Sequence, residues 1–513
     1  MIVKESKFSP LHWLIINQKV LIPIAFFAVC LIVFIPNAPN IKFLDRDGSL
    51  FLFFGRSILE GKVPYRDLWD HKGPVLYFIN AFALFISSNS IWGIWAVEIV
   101  HLLTCTIVLF NILKINFSQK TAFLGSLFFL SAFSAFIQGG NFTEEFSLLP
   151  ILLSAYLLCK SNHGITRTIA LIIGALFGFV FFLRPNNIGF YLSLILVLTL
   201  SIFKRNHPIS TLVYLFSGLV AITGLVFLYF DINQAIPDFI DQLFMRNFFY
   251  SVAYSTMPER IQGLFKSFLN YPVWLIIPVI GLILSIAQNQ ANNTLLKKVL
   301  IINLPLELLL LSVSGRFFPH YYLCILPALT YFFCDLIGKV VEYIEKLSPI
   351  CLLSIFPILS IVLTIPLWLN LDAIRPFMRE VVKYGNRIKS NELIEYVQAS
   401  TSKMDTILVW GYDPMVYLYS NRFTSTRYSY QQAFETPNYT KPEMIVEFCE
   451  DLAKKPPMLI IDTRDPFPLS AQKRDRVTEL RVLKYKCLLD LIDTHYSLQN
   501  QIDPNYDVFA YNN

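Results

Sequence analysis

The sequence predicts an α-helical polytopic membrane protein with a small C-terminal α/β domain. Three observations predict it. Of 513 residues, 55% are hydrophobic and 15% charged, with mean hydropathy +0.53, whereas a soluble chain would be about 25% charged. Apolar runs of roughly bilayer-crossing length recur through residues 1–370. From about 371 charges rise and strand-like runs appear, dividing the chain into 1–370 and 371–513.

The apolar runs fall at about 20–37, 91–113, 121–138, 145–160, 168–183, 187–203, 211–230, 271–287, 298–314, 319–338 and 348–370. A further run, 75–87, is short for a crossing. Charge decides its treatment. If it stays on one side, Lys114/Lys120, Lys160/Arg167, Lys204/Arg205, Lys297/Lys298 and Lys339/Lys346 join the basic N-terminus on the cytoplasmic side, as the positive-inside rule requires. The expectation is therefore about eleven spans, an outer interfacial or re-entrant helix at 75–87, a cytoplasmic N-terminus and an extracytoplasmic C-terminus. The N-terminal segment has no small-x-small cleavage site, so the first run reads as a retained span. The net charge of +6 is modest and its placement speaks to topology, not to nucleic acid.

The eight cysteines contain no CxxC pair, which removes zinc-ribbon and thioredoxin-type readings. Six lie in or beside apolar runs and read as packing residues. Cys449 and Cys487 share the C-terminal region, where a disulfide and a pair of free thiols are equally open. That region alternates strand-like Thr406–Trp410 and Met458–Ile461 with helical patterns such as 441–453. Trp410-Gly411-Tyr412-Asp413-Pro414 would form a loop at the carboxyl end of the first strand. No glycine-rich phosphate motif occurs, so nucleotide binding has no support.

The polar segments between apolar runs sort onto the outer face. They are the 43–74 loop, 138–145, Arg184-Pro185-Asn186-Asn187, 231–270 and 315–320. The 43–74 loop is the densest. It holds Asp45, Asp47, Asp67 and Asp70 with Arg46, Lys62, Arg66, His71 and Lys72, and an amphipathic stretch, 49–60, that reads as a helix lying in the interface. In an extended segment Asp45 and Asp47 would point the same way. Such a carboxylate can take a proton from an acceptor hydroxyl or equally help hold a divalent cation. A solvated loop is the bland alternative.

Glu144 and Glu145 open the fourth run. There they suit a helix N-terminus electrostatically, with Thr143 as a cap. Arg184 interrupts apolar sequence at membrane depth and calls for an anionic partner, for which a lipid-linked phosphate fits its planar fork. Arg316, His320, Tyr321 and Tyr322 form a second outward cationic and aromatic group, which an aromatic belt would also explain. Glu98 and His101 share a helix face and either pair or support the loop above them. With Glu307 and Asp335 they have no assigned role, and as a metal site two ligands are too few.

The run Arg46-Asp47-Gly48-Ser49, then Gly61-Lys62-Val63-Pro64-Tyr65-Arg66-Asp67, then Trp69-Asp70-His71-Lys72-Gly73-Pro74 resembles the first outer loop of bacterial polytopic glycosyltransferases of the GT-C class. These are related to dolichyl-phosphate-mannose protein mannosyltransferases and the lipid A aminoarabinose transferase. Thr143-Glu144-Glu145, Arg184-Pro185-Asn186-Asn187 and Gly315-Arg316 with His320-Tyr321-Tyr322 follow in the expected order, so the resemblance spans roughly 20–340. It implies inverting transfer from a polyprenyl-phosphate sugar to an extracytoplasmic acceptor (protein, glycan or lipid), in the bacterial inner membrane. Asp47 matches the loop aspartate that serves as general base. Many relatives carry an Asp-Glu pair there, whereas here Arg46 precedes Asp47 and the second carboxylate is Asp45, so the base stays open between the two.

The resemblance further implies a donor phosphate and substrate set of Arg184, Asn186, Asn187, Arg316, His320, Tyr321, Lys72, Tyr65, Asp67, Asp70, His71, Glu144 and Glu145. It requires no cofactor, and the departure at Arg46 weakens the case for a divalent cation. A transporter or lipid-linked-sugar flippase is the rival reading, but it calls for broken helices in two corresponding halves, and no internal repeat is present. A non-catalytic membrane scaffold with an outer recognition domain is the third.

Overall fold

The computed structural model describes residues 18–161, 164–204, 208–253, 256–287, 294–347, 349–384, 388, 390–465, 468–469, 483–499 and 502–512. The basic N-terminal segment 1–17 and Arg205, both used in the topology argument, lie outside them. All eleven long apolar runs are helical. They form α1 (Gln18–Phe34), α4 (Trp92–Asn116), α5 (Gln119–Phe136), α6 (Thr143–Lys160), α7 (Arg167–Phe181), α8 (Gly189–Phe203), α9 (Ser210–Ile232), α13 (Pro272–Ala287), α14 (Leu295–Ser312), α15 (Leu326–Leu347) and α16 (Pro349–Trp368). One boundary moves. The run at 319–338 opens with a 3₁₀ turn, Pro319–Leu323, and its α-helix starts only at Leu326.

The chain is an integral membrane protein. Among the described residues four helices are long and apolar enough to cross a bilayer, namely Lys19–Asn37, Trp92–Asn116, Ser210–Ile232 and Ile355–Lys383. The pair α12 (Met257–Asn270) and α13, bent by 102°, passes the same test only when the two are taken together, as a broken span or a re-entrant loop. The expected count of about eleven is not confirmed, because several bundle helices are short or carry charges within the apolar length. The 75–87 run forms α3, Pro74–Ile86, thirteen residues long. At 1.5 Å per residue it reaches about 20 Å, short of a hydrocarbon core of about 30 Å.

The segment 231–270 is helical, not a polar loop. It runs through α10 (Ile236–Ile240), a π-turn (Asp241–Met245), α11 (Arg246–Ala253) and α12. Met257, Ile261, Phe265 and Leu269 recur every four residues along α12 and are all more than half exposed.

The C-terminal region folds as expected around a sheet. Its elements include α17 (Ile374–Tyr384), α18 (Glu392–Ser400), β1 (Thr406–Trp410), α19 (Met415–Ser420), β2 (Phe423–Thr424), α20 (Pro442–Lys454), β3 (Leu459–Asp462), α21 (Lys486–His495), β4 (Tyr496–Leu498) and β5 (Asp507–Tyr511). The sheet order is β2-β1-β3-β5-β4, with β2, β1 and β3 parallel and β5 antiparallel to both its neighbours, β3 and β4. A Cys449–Cys487 disulfide staples α20 to α21. Cys30, Cys105, Cys159, Cys324 and Cys334 are free and sit within the bundle; the side chain of Cys351 lies outside the described residues.

Two cores hold the molecule. One fills the helical bundle. The other is continuous from the 43–74 loop into the sheet domain, and it changes the reading of the amphipathic stretch. That stretch is helix α2, Arg46–Leu59, but Leu50, Phe51, Leu52, Phe53 and Phe54 are all at most 1% exposed. α2 does not lie on the interface with one face wet. It is sandwiched between α3 and the C-terminal domain, which covers its second face. Arg56 locks that covering. Its Nη1 donates to Leu418 O at 3.0 Å and Asn421 Oδ1 at 2.9 Å, and its Nη2 to Tyr417 O at 2.9 Å and Arg422 O at 3.0 Å. These acceptors close the C-terminal end of α19, where a cation complements the helix dipole and the orphan carbonyls.

Candidate active site

The site begins with a helix start. Asp45 is the N-cap of α2, its Oδ1 accepting from Gly48 N at 3.0 Å. Asp47 therefore sits in the first helical turn. This corrects the extended-segment expectation: the two carboxylates diverge because one caps and the other is already helical. Asp47 faces a cavity of 860 Å³. Asp45 does not line it but packs against the 138–141 turn, where a Cβ on Gly139 would come within 2.4 Å of its Oδ2. Burial and the neighbouring Asp47 charge push the Asp45 carboxyl up to about 6.

Three cations, Lys72, Arg184 and Arg316, line the same cavity as Asp47. Backbone contact sets the first two side by side. Gly73 N donates to Leu183 O and Val75 N to Phe182 O, both at 3.2 Å. That approach needs glycine, since a Cβ at 73 would meet Phe182 O at 2.1 Å. The guanidinium of Arg184 pairs with Glu144 Oε1 and lies 4.2 Å over the Tyr321 ring. Asn187, at the end of the same turn, is buried and donates to Ser147 Oγ at 2.9 Å. The Arg184 turn is thus pinned on α6 and its neighbour Asn186 faces the cavity.

Glu144 and Glu145 are both buried and neither lines the cavity. Glu144 is the counter-charge for Arg184. Glu145 reaches back to cap α6, its Oε2 accepting from Asn141 N at 3.0 Å and Phe142 N at 3.4 Å. The cap expected of Thr143 is therefore made by Glu145, while the Thr143 hydroxyl donates to Glu144 Oε2 at 2.8 Å. Glu98 and His101 do not pair with each other. Glu98 Oε1 accepts from Asn141 N at 2.5 Å, and His101 Nε2 donates to Glu145 O at 2.9 Å. Both support the turn above them. Glu307 stands beside Gly189, and Asp335 lies near Lys339 and Lys297.

His320 and Tyr321 line the cavity from the 3₁₀ turn. The His320 ring stacks on Phe142 at 4.0 Å, and its Nδ1 lies 3.1 Å from Gln138 Oε1. Asp70 and His71 line it from the end of the outer loop. Asp70 accepts from Tyr77 Oη at 2.5 Å and Tyr430 Oη at 2.6 Å. Burial alone would raise its carboxyl, but His71 and the two hydroxyls outweigh burial and hold it well below the usual range. Burial and the nearby Arg246 charge push His71 down to about 3, so its ring is neutral at pH 7.

Tyr65 and Asp67 stand away from the cavity and shape the loop that carries it. Tyr65 is fully buried with a φ of 68°, and its hydroxyl donates to Lys72 O at 2.6 Å. Asp67 Oδ2 accepts from Val63 N at 2.7 Å and pairs with Arg66.

Several lining residues were missed by the sequence reading. Leu243, Phe244, Asn247, Phe248 and Tyr250 come from the 231–270 segment, and Tyr412, Gln432 and Asp465 from the C-terminal domain. The first group is mostly apolar and aromatic; its signal was the aromatic run 248–250. Nothing local marked the second group except the loop expected after β1. Arg246, in the same segment, is fully buried. It lies 4.3 Å over the Tyr250 ring, and its guanidinium nitrogens have no hydrogen-bond partner among the described residues. Among those residues no group of three His, Cys, Asp or Glu side chains is placed to hold a metal ion.

Comparison with known proteins agrees with this architecture. A family profile described as dolichyl-phosphate-mannose-protein mannosyltransferase matches residues 71–230. Comparison with curated protein sequences returns no match. The structure is similar to ArnT from Cupriavidus metallidurans bound to undecaprenyl phosphate, with TM-score 0.63 and 13% identity, over 95% of this chain and 97% of that one. ArnT in its apo state gives TM-score 0.59 at 13% identity, with the same coverage. The archaeal oligosaccharyltransferase AglB from Archaeoglobus fulgidus, in complex with an inhibitory peptide and a dolichol-phosphate, gives TM-score 0.52 at 11% identity, over 98% of this chain and 75% of that one. The chain has the GT-C fold.

Proposed function

We propose that the protein is a membrane glycosyltransferase that moves a sugar, with inversion, from a polyprenyl-phosphate-linked donor to an extracytoplasmic acceptor. One observation carries the reading: a single cavity is lined by the Asp47 carboxylate and by Lys72, Arg184 and Arg316, together with the aromatic Phe244, Phe248 and Phe318. The similar folds of ArnT bound to undecaprenyl phosphate and AglB bound to a dolichol-phosphate support a lipid-phosphate donor. The disulfide supports a C-terminal domain outside the cytoplasm, where such bonds persist.

In this mechanism Asp47 takes the acceptor proton as the acceptor atom bonds to the anomeric carbon. The bond from that carbon to the phosphate oxygen breaks on the opposite side. The departing polyprenyl phosphate carries the developing charge, which preorganised Lys72, Arg184 and Arg316 stabilise in a site already shaped for it. Glu144 holds Arg184 in place and Tyr321 stacks beneath it. Asp45, engaged as a helix cap, does not take the proton. The test is single-turnover transfer from a polyprenyl-phosphate sugar by reconstituted protein. Asp47→Asn should reduce the rate by about 10²–10⁴-fold while donor binding persists, and Asp45→Asn should cost much less. Parent rates in both variants would remove this cavity as the catalytic site.

A further inference from the structure

Resting on Asp47 as the base, we propose that Tyr412 of the C-terminal domain is the residue that positions it, so that the active site is complete only when that domain is docked. The Tyr412 hydroxyl donates to Asp47 Oδ1. An aspartate in the first turn of a helix is otherwise free to rotate about both side-chain torsions. One oxygen bound to a fixed hydroxyl leaves the other available to the cavity, which is what a base needs to meet an acceptor proton in a defined direction.

The hydroxyl is itself fixed. Tyr412 follows Gly411, whose φ of 122° only glycine adopts freely and whose N donates to Gln431 Oε1 at 2.5 Å. The Tyr412 ring lies 4.8 Å from that of Tyr430, and Tyr430 is tied to Asp70 at 2.6 Å. Two tyrosines from one edge of the sheet domain thus grip two aspartates of the outer loop, at the carboxyl end of β1, where open α/β sheets present their functional loops. Burial and the adjacent Asp47 charge hold the Tyr412 phenol well above its ordinary range. It therefore stays protonated and acts as a donor, not as a rival base. The other charged or titratable groups around Asp47 are Asp45 on its own segment, Tyr321 from the 3₁₀ turn and Tyr430, with Arg46, Asp70, His71, Lys72, Arg184, Arg316, His320 and Asp465 in the walls of the same cavity.

Tyr412→Phe removes only the hydroxyl and keeps the ring contact. Loss of one hydrogen bond to a charged group predicts a fall in kcat of about 10- to 100-fold, with donor KM unchanged. Domain loosening would instead raise donor KM together with the fall in kcat, because Gln432 and Asp465 of that domain line the same cavity. Asp47→Asn and the double variant run in parallel, and the double variant should lose no more than Asp47→Asn alone. Parent-like kcat in Tyr412→Phe, or a loss of kcat matched by a rise in donor KM, with Asp47→Asn inactive, would overturn the positioning role alone. A parent-like Asp47→Asn would overturn the base assignment and the positioning role together.

Discussion

Replacing Asp70 by Asn tests how the outer loop and the C-terminal domain are held together. The Asp70 carboxylate is 1% exposed and accepts two tyrosine hydroxyls, one from α3 at 2.5 Å and one from the sheet domain at 2.6 Å. Hydrogen bonds to a charged group contribute roughly 1.5–3 kcal/mol each and neutral ones about 1 kcal/mol. An asparagine keeps the shape but offers one neutral acceptor oxygen, so both tyrosine bonds lose their charge assistance and one hydroxyl must find another partner, as Tyr77 can in Lys72 O at 3.3 Å. Relief of the buried charge offsets part of the loss, leaving a net cost of about 2–4 kcal/mol. The assay is thermal unfolding in detergent of the parent, Asp70→Asn, Tyr430→Phe and the double variant, whose losses should be less than additive. The sign with pH is a second check. A carboxyl held below its unfolded value near 3.9 contributes stability above that value and loses it as pH falls toward the folded one. The gap between parent and Asp70→Asn should therefore be full at pH 7 and close below about pH 4. An unfolding midpoint indistinguishable from the parent at pH 7, or a gap that widens in acid, would refute the clamp.

Arg184→Lys keeps the charge but loses the fork shared with Glu144 and the stacking on Tyr321. Donor kcat/KM should fall about 10- to 100-fold with folding intact, and unchanged donor kinetics would reduce Arg184 to an interfacial anchor. Gly73→Ala places a Cβ 2.1 Å from Phe182 O, so the Lys72 turn must move, and stability should drop by about 1–3 kcal/mol; a variant as stable as the parent would contradict the close approach. A reporter fused after residue 385 should read extracytoplasmic and one after Lys346 cytoplasmic. Cys449 and Cys487 should resist alkylation until a reductant is added. A cytoplasmic reading after 385, or thiols that label at once, would reverse the orientation.

Much was legible in the amino-acid order because it rests on local physics. Helix formation in the eleven long apolar runs follows from hydropathy and length, and β1 from a five-residue apolar stretch bounded by turn residues. The polar islands that feed the cavity stood out because charge is costly beside lipid, and Asp47, Lys72, Arg184, Arg316, His320 and Tyr321 all line one cavity. The choice between Asp47 and Asp45 as the group facing it was not legible. Both are carboxylates two positions apart, and only the helix start at Arg46 made one a cap and turned the other outward. Glu144, Glu145, Asn187, Tyr65 and Asp67 carried the same polar signal as the lining residues. Tertiary packing alone turned them into counter-charge, cap and loop scaffold, because a buried polar side chain is assigned by the partner that satisfies it. The second cover of α2, and Tyr412 on Asp47, depend on a domain about 365 residues away along the chain. Sequence periodicity reports which faces of an element are apolar; what buries them is decided by contacts between distant segments, and those exist only in the folded protein.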